Sequence, residues 1–220
     1  MVLSTIEKIK ILTKAKNLCL NDKRGKFMCC EIIAAIDNFY KSKEWSKNAP
    51  ELSEIIELFT RENAFKVCEA ANVTLPRMES NVIAWWIGTE ETARVTFFDW
   101  MIKQYSLKFV EELPIQDKIN ILEIAKERTK TKIYPFMCNN IKQTIIKYAK
   151  DNFDVNLYES VSYYLLKPFV LFTIENAIMV CQKYKLKLPD KNLVAWWNGD
   201  VIKSRLAVYN WLIREYKKQL

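Results

Sequence analysis

The chain contains no histidine, and its three glycines, Gly25, Gly88 and Gly199, lie more than sixty residues from one another. The first absence removes Ser-His-Asp and Cys-His catalysis, histidine-ligated metals and imidazole pH switching. The second removes the clustered glycines that a P-loop or a dinucleotide-binding turn requires. Long hydrophobic runs are missing as well. The most apolar segment, Tyr163 to Val180, is interrupted by Lys167, Pro168, Glu175 and Asn176 and falls short of the roughly 18–20 clean residues of a membrane span. The opening MVLSTIEKIKILTK mixes acid and lysine where a secretory signal needs an apolar stretch, so the expected location is the cytoplasm. The six cysteines form no CxxC pair and have no histidine to complete a zinc site, so no metal is expected. Cys29 with Cys138, and Cys68 with Cys181, fall on apolar helical stripes and read as small packing residues.

What is present is the composition of a soluble globular protein, half apolar and 27% charged. The net charge of +8 is unevenly placed: residues 1–112 hold sixteen basic and sixteen acidic side chains, residues 113–220 eighteen and ten. The whole excess belongs to the second half.

The halves resemble each other. Leu58-Phe59-Thr60-Arg61-Glu62-Asn63-Ala64, with Val67-Cys68 and Leu75-Pro76, returns as Leu171-Phe172-Thr173-Ile174-Glu175-Asn176-Ala177, with Val180-Cys181 and Leu188-Pro189. Ten of these nineteen positions are identical. Asn81-Val82-Ile83-Ala84-Trp85-Trp86-Ile87-Gly88 is answered by Asn192-Leu193-Val194-Ala195-Trp196-Trp197-Asn198-Gly199, and Arg94, Trp100, Ile102 and Tyr105 by Arg205, Trp211, Ile213 and Tyr216. Earlier, Ile11-Leu12 with Ala15-Lys16 matches Ile121-Leu122 with Ala125-Lys126, and Phe27-Met28-Cys29 matches Phe136-Met137-Cys138. The offset stays between 109 and 113 residues, too long for a solenoid of short repeats. It predicts tandem duplication of a unit of about 110 residues, 1–112 and 113–220, joined near Glu111-Glu112-Leu113-Pro114.

Within each copy the apolar spacing is helical: from Leu58, the positions Ala64, Phe65, Val67, Cys68 and Ala71 share one half of a 3.6-residue wheel, and Leu171, Ala177, Ile178, Val180 and Cys181 repeat it. A further helix is expected after each late glycine, N-capped by Thr89 or Asp200. Alternating strand runs bounded by turn signals are absent, and the scarcity of glycine argues against hairpins. The expected fold is all-α, two pseudo-symmetric tandem bundles of about four helices each.

The motif common to both copies is Trp-Trp-x-Gly-x5-Arg-x5-Trp-x-Ile-x-x-Tyr. Two readings stay open. Trp85, Trp86 and Arg94, with Trp196, Trp197 and Arg205, could form one stacking and anion-binding pocket per copy, since an indole offers a flat face and a guanidinium a fork for phosphate or carboxylate. Alternatively the indoles plug the end of a bundle and each arginine is a structural ion pair, Arg94 with Glu62 and Arg205 with Glu175. Lys126, Arg128, Lys130 and Lys132 form the densest basic stretch and are the candidate nucleic-acid contacts. No carboxylate pair recurs in both copies, so neither an enzyme nor a cofactor is expected.

The Phe-x-Cys segments, each followed fifty to sixty residues later by Trp-Trp-x-Gly and an Arg-started helix, resemble small uncharacterised helical proteins of bacteriophages and prophages, which are single copies where this chain is doubled. The resemblance implies a viral or mobile-element origin, hence the cytoplasm of a host cell or a virion. The resulting expectation is a non-catalytic accessory protein that holds a host or viral macromolecule, a protein partner before nucleic acid, and no membrane. The alternatives are a protein that sequesters a nucleotide-like signal and a nucleic-acid-associated structural protein using the basic second half.

Overall fold

The computed structural model describes residues 2–21, 27–41, 52–79, 82–84, 90–131, 136–157, 164–189 and 201–220. Among these residues the chain is all-helical apart from one short hairpin. It divides into two compact units, Met1–Lys108 and Phe109–Leu220. The division comes earlier than the expected junction at 112/113, because Phe109 and Val110 are buried and Phe109 packs edge-on against Phe153 at 5.3 Å.

In the first unit, α1 (Thr5–Asn21) begins at a capping box. Ser4 Oγ accepts from the Glu7 N–H at 3.3 Å and Glu7 Oε2 accepts from the Ser4 N–H at 2.8 Å, which satisfies two donors at a helix start. Ile9, Leu12, Ala15 and Cys19 then recur at helical spacing and are buried. Helix α2 (Met28–Tyr40) buries Met28, Ile32, Ala35 and Ile36, and stops at Lys41, which takes the left-handed conformation. After the single turn of α3 (Leu52–Ile55), α4 (Arg61–Ala70) is capped by Thr60, whose side chain accepts from the Asn63 N–H. Asn63 Nδ2 in turn donates to Leu58 O at 3.1 Å. The helix ends with Asn72 at φ 52°.

Strands β1 (Arg77–Glu79) and β2 (Val82–Ala84) follow, paired antiparallel with Arg77 opposite Ala84. This hairpin corrects the expectation that scarce glycine excludes one: its strands are three residues each, short enough to pair without a run of alternating residues. Helix α5 (Glu90–Glu111) contributes Phe97, Phe98, Met101 and Tyr105 to the core. Burying each such side chain is worth about 1.5–3 kcal/mol.

The second unit opens with α6 (Ile115–Thr131), which buries Ile119, Leu122 and Ala125. Helix α7 (Met137–Phe153) buries Met137, Ile141, Ile145 and Tyr148, and is closed by Asp154 in the left-handed conformation. A 3-10 turn over Tyr164–Leu166 precedes α8 (Ile174–Lys183), capped by Thr173 accepting from the Asn176 N–H. Asn176 Nδ2 donates to Leu171 O at 2.9 Å, and Lys185 follows the helix at φ 52°. In α9 (Ile202–Lys217), Val208, Tyr209, Leu212 and Tyr216 are buried. Its N-cap is Val201, with no side-chain hydrogen bond; the expected caps Asp200 and Thr89 lie outside the described residues. No helix among the described residues is long and apolar enough to cross a membrane.

Candidate functional site

Each unit contains a polar centre enclosed by its helices, and the repeated arginine belongs to it. Arg94 on α5 is 1% exposed and Arg205 on α9 is 2% exposed, so both guanidinium groups lie in the interior. Arg94 Nη1 sits 2.8 Å from Glu31 Oε1, and Glu31 is buried as well. The expected partners, Glu62 and Glu175, stand exposed on α4 and α8. The threonine caps fix the phase of these helices so that Ala64 and Cys68, or Ala177 and Cys181, point inward, which turns the glutamates out. Glu31 instead follows Met28 by three residues and precedes Ile32 on the buried face of α2. The carboxylate that meets Arg94 is therefore Glu31.

Cys19 of α1 completes this centre. Burial pushes its thiol up to about 12, and the Glu31 carboxylate adds to the shift while Arg94 opposes it. A thiol so held stays protonated and is no nucleophile near neutral pH. Burial likewise raises Cys29 to about 12 and Cys68 to about 11. Cys68 and Cys181 are buried as packing residues, whereas Cys29 and Cys138 are only half-buried and Cys30 is exposed. Among the described residues no cluster of Cys, Asp or Glu could hold a metal ion.

The second unit builds its centre differently. Phe136 and Asn140 stand where the repeat places Phe27 and Glu31, so an amide occupies the carboxylate position. Asn140 Nδ2 lies within donating distance of Ala125 O at 2.6 Å, Thr129 Oγ1 at 2.8 Å and the Tyr209 hydroxyl at 3.0 Å. Its two amide protons are shared among three acceptors, and its Oδ1 is buried with no hydrogen-bond partner. Burial lowers the Arg205 pKa, opposed by Tyr209 and Cys138. Burial also pushes the Tyr209 phenol upward, so it remains a neutral hydroxyl.

Two more acid partners of the first unit are replaced in the second. Lys8, almost fully buried, pairs with Glu57 at 2.5 Å and lies over the Tyr105 ring, and Lys16 Nζ is 2.7 Å from Asp99. The corresponding positions hold Lys118 with Val170, and Lys126 with Asn210. In both cases the base is retained and the acid is gone.

Of the candidate nucleic-acid contacts, Lys126 is half-buried and Arg128 Nη1 donates to Thr144 Oγ1 at 2.9 Å. Lys130 pairs with Glu127 at 2.8 Å. Lys147 and Lys150 beyond them pair with Asp151 and Asp154. Lys132 lies outside the described residues, as do Trp85, Trp86, Trp196 and Trp197. Sequence reasoning missed Glu31, Asn140, Thr129 and Tyr209. The available signal was the second difference after the shared Phe-Met-Cys: extending that match by two residues passes Cys30 opposite Asn139 and reaches Glu31 opposite Asn140. Comparison of the chain with protein-family models, with curated proteins and with solved structures finds no match.

Proposed function

We propose that the chain is a non-catalytic binding protein of the bacteriophage or mobile-element accessory type, made of two copies of one helical unit, and that its partner is a protein. The observation that supports this reading is the contrast between a shared helical framework and a changed charge. Helix-capping threonines, their asparagines, the buried arginines and the buried Cys68 and Cys181 occupy matched positions in both units, while the charge of the second half departs from the first by loss of acids more than by gain of bases. Shared caps, arginines and cysteines beside a changed charge fit two copies of one framework put to different contacts. The arginines on which a nucleotide-sequestering reading rests are enclosed in the core, which disfavours it, and local ion pairs along the basic stretch weaken the nucleic-acid reading.

The test is affinity capture with the full chain from lysate of the cells that produce it, followed by size-exclusion chromatography of the recovered complex. The expected result is a discrete protein at fixed stoichiometry that survives nuclease treatment. Recovery that vanishes with nuclease, or no stoichiometric protein at all, would overturn the reading.

A further inference from the structure

We infer that the outer side of α8 and the segments flanking it form a docking surface for an acidic protein segment that carries apolar side chains. The inference rests on the reading of the chain as a two-copy binding protein. Four apolar side chains stand out from this part of the second unit: Val170 is 70% exposed, Met179 46%, Tyr184 49% and Leu188 46%. Three of their counterparts in the first unit are Glu57, Lys66 and Ala71, which are charged or small. The helix itself is not short of packing, because Ala177, Val180 and Cys181 bury its inner side. The added apolar groups therefore contribute nothing to the core.

The charge changes in the same place. Residues 54–74 hold four acidic and two basic side chains, whereas residues 167–187 hold one acidic and four basic. Net charge thus goes from −2 to +3 across this stretch, five of the eight charges by which the halves differ. Lys183 lies over the Tyr184 ring, 5.9 Å from its centroid, and Lys185 follows at φ 52°. The same turn in the first unit is made by Asn72, a residue that tolerates the left-handed conformation, whereas lysine meets a steric penalty there.

Exposed apolar side chains in a stretch rich in lysine complement an acidic amphipathic segment, with charge giving register and rate and methionine adapting to the contact. A phosphate backbone would leave Val170, Met179 and Leu188 without apolar counterparts. A membrane surface needs a broad apolar helix face to insert, and here that face is turned into the unit, leaving Met179 as the helix's one well-exposed apolar side chain among the described residues.

The experiment titrates the full chain against a fluorescein-labelled acidic amphipathic helix of glutamate and leucine, a scrambled peptide of equal composition, anionic phosphatidylserine vesicles and a DNA oligonucleotide. The expected result is saturable binding of the amphipathic peptide, stronger than of the scrambled one. It should weaken about tenfold or more, a loss of roughly 1.4 kcal/mol, in the double variant Val170→Glu, Met179→Lys, whose melting temperature stays that of the parent. Equal binding of both peptides, undiminished peptide binding by the folded double variant, or a variant-sensitive response confined to vesicles or DNA would each overturn the inference. Lysate capture separates the two levels. If the double variant still recovers the parent's protein partner, the binding reading stands and this surface falls; if the parent recovers none, the binding reading itself falls.

Discussion

A charged residue in a protein interior is held by whatever it meets there, and Glu31 with Arg94 makes the dependence measurable. Both side chains are almost fully buried, so removing the acid leaves a desolvated cation behind. Glu31→Ala is expected to cost about 3–5 kcal/mol in denaturant unfolding, while Glu62→Ala, on the exposed side of α4, should change stability by no more than about 0.5 kcal/mol. Equal effects would remove the buried pair from the account of the fold. In the second unit the uncharged Asn140 stands at the Glu31 position, with its amide oxygen buried without a hydrogen-bond partner.

At the level of elements, the turns after α4 and α8 are made alike. The N–H of Val73 bonds to Cys68 O at 3.0 Å, and that of Leu186 to Cys181 O at 2.8 Å, each closing a helix end around a left-handed residue. Lys185→Gly should raise stability by about 1 kcal/mol by removing the side-chain penalty, whereas Asn72→Gly should change it little; a thermal melt showing no gain for Lys185→Gly would contradict the strain. Much of this level was legible in the sequence. The spacing of Ala64, Val67 and Cys68 identified the inner face of α4, and Thr60 with Asn63 is the local signal of its cap. The hairpin was not legible, because its strands are three residues each, too short to show alternation. Nor was the partner of Arg94: Glu62 and Glu31 are both glutamates in helical sequence, and only the packing of α2 against its neighbours tells which faces inward.

For the whole molecule, stability should form a plateau in pH with two different edges. Burial alone would raise the Glu57 carboxyl, but hydrogen bonds from Lys8, its own backbone and Tyr105 bring it below its ordinary 4.5. The Ser4 backbone and hydroxyl do the same for Glu7. Carboxyls lowered by folding stabilise fully above pH 4.5, and the contribution is lost as pH falls through the folded values. Thiols move the other way: Cys19 and Cys68 rise from 9.0 to about 12 and about 11. The folded state then holds protons that the unfolded chain releases, so stability is complete below pH 9 and declines from there toward 11–12. Melting temperatures should be flat between about pH 5 and 9 and fall on both sides; a maximum outside that window would refute the assignment.

Thr129, Asn140 and Tyr209 stand where the other half has Cys19, Glu31 and Phe98, and these three differences form one inheritable block. Asparagine placed alone at position 31 would remove the carboxylate that meets Arg94 at 2.8 Å, and tyrosine placed alone at 98 would bring a hydroxyl to a fully buried position. Each exchange is harmful by itself and tolerable only in company. Chimeras that exchange these positions between the halves are expected to fold when the crossover keeps each trio whole and to lose stability when it splits one.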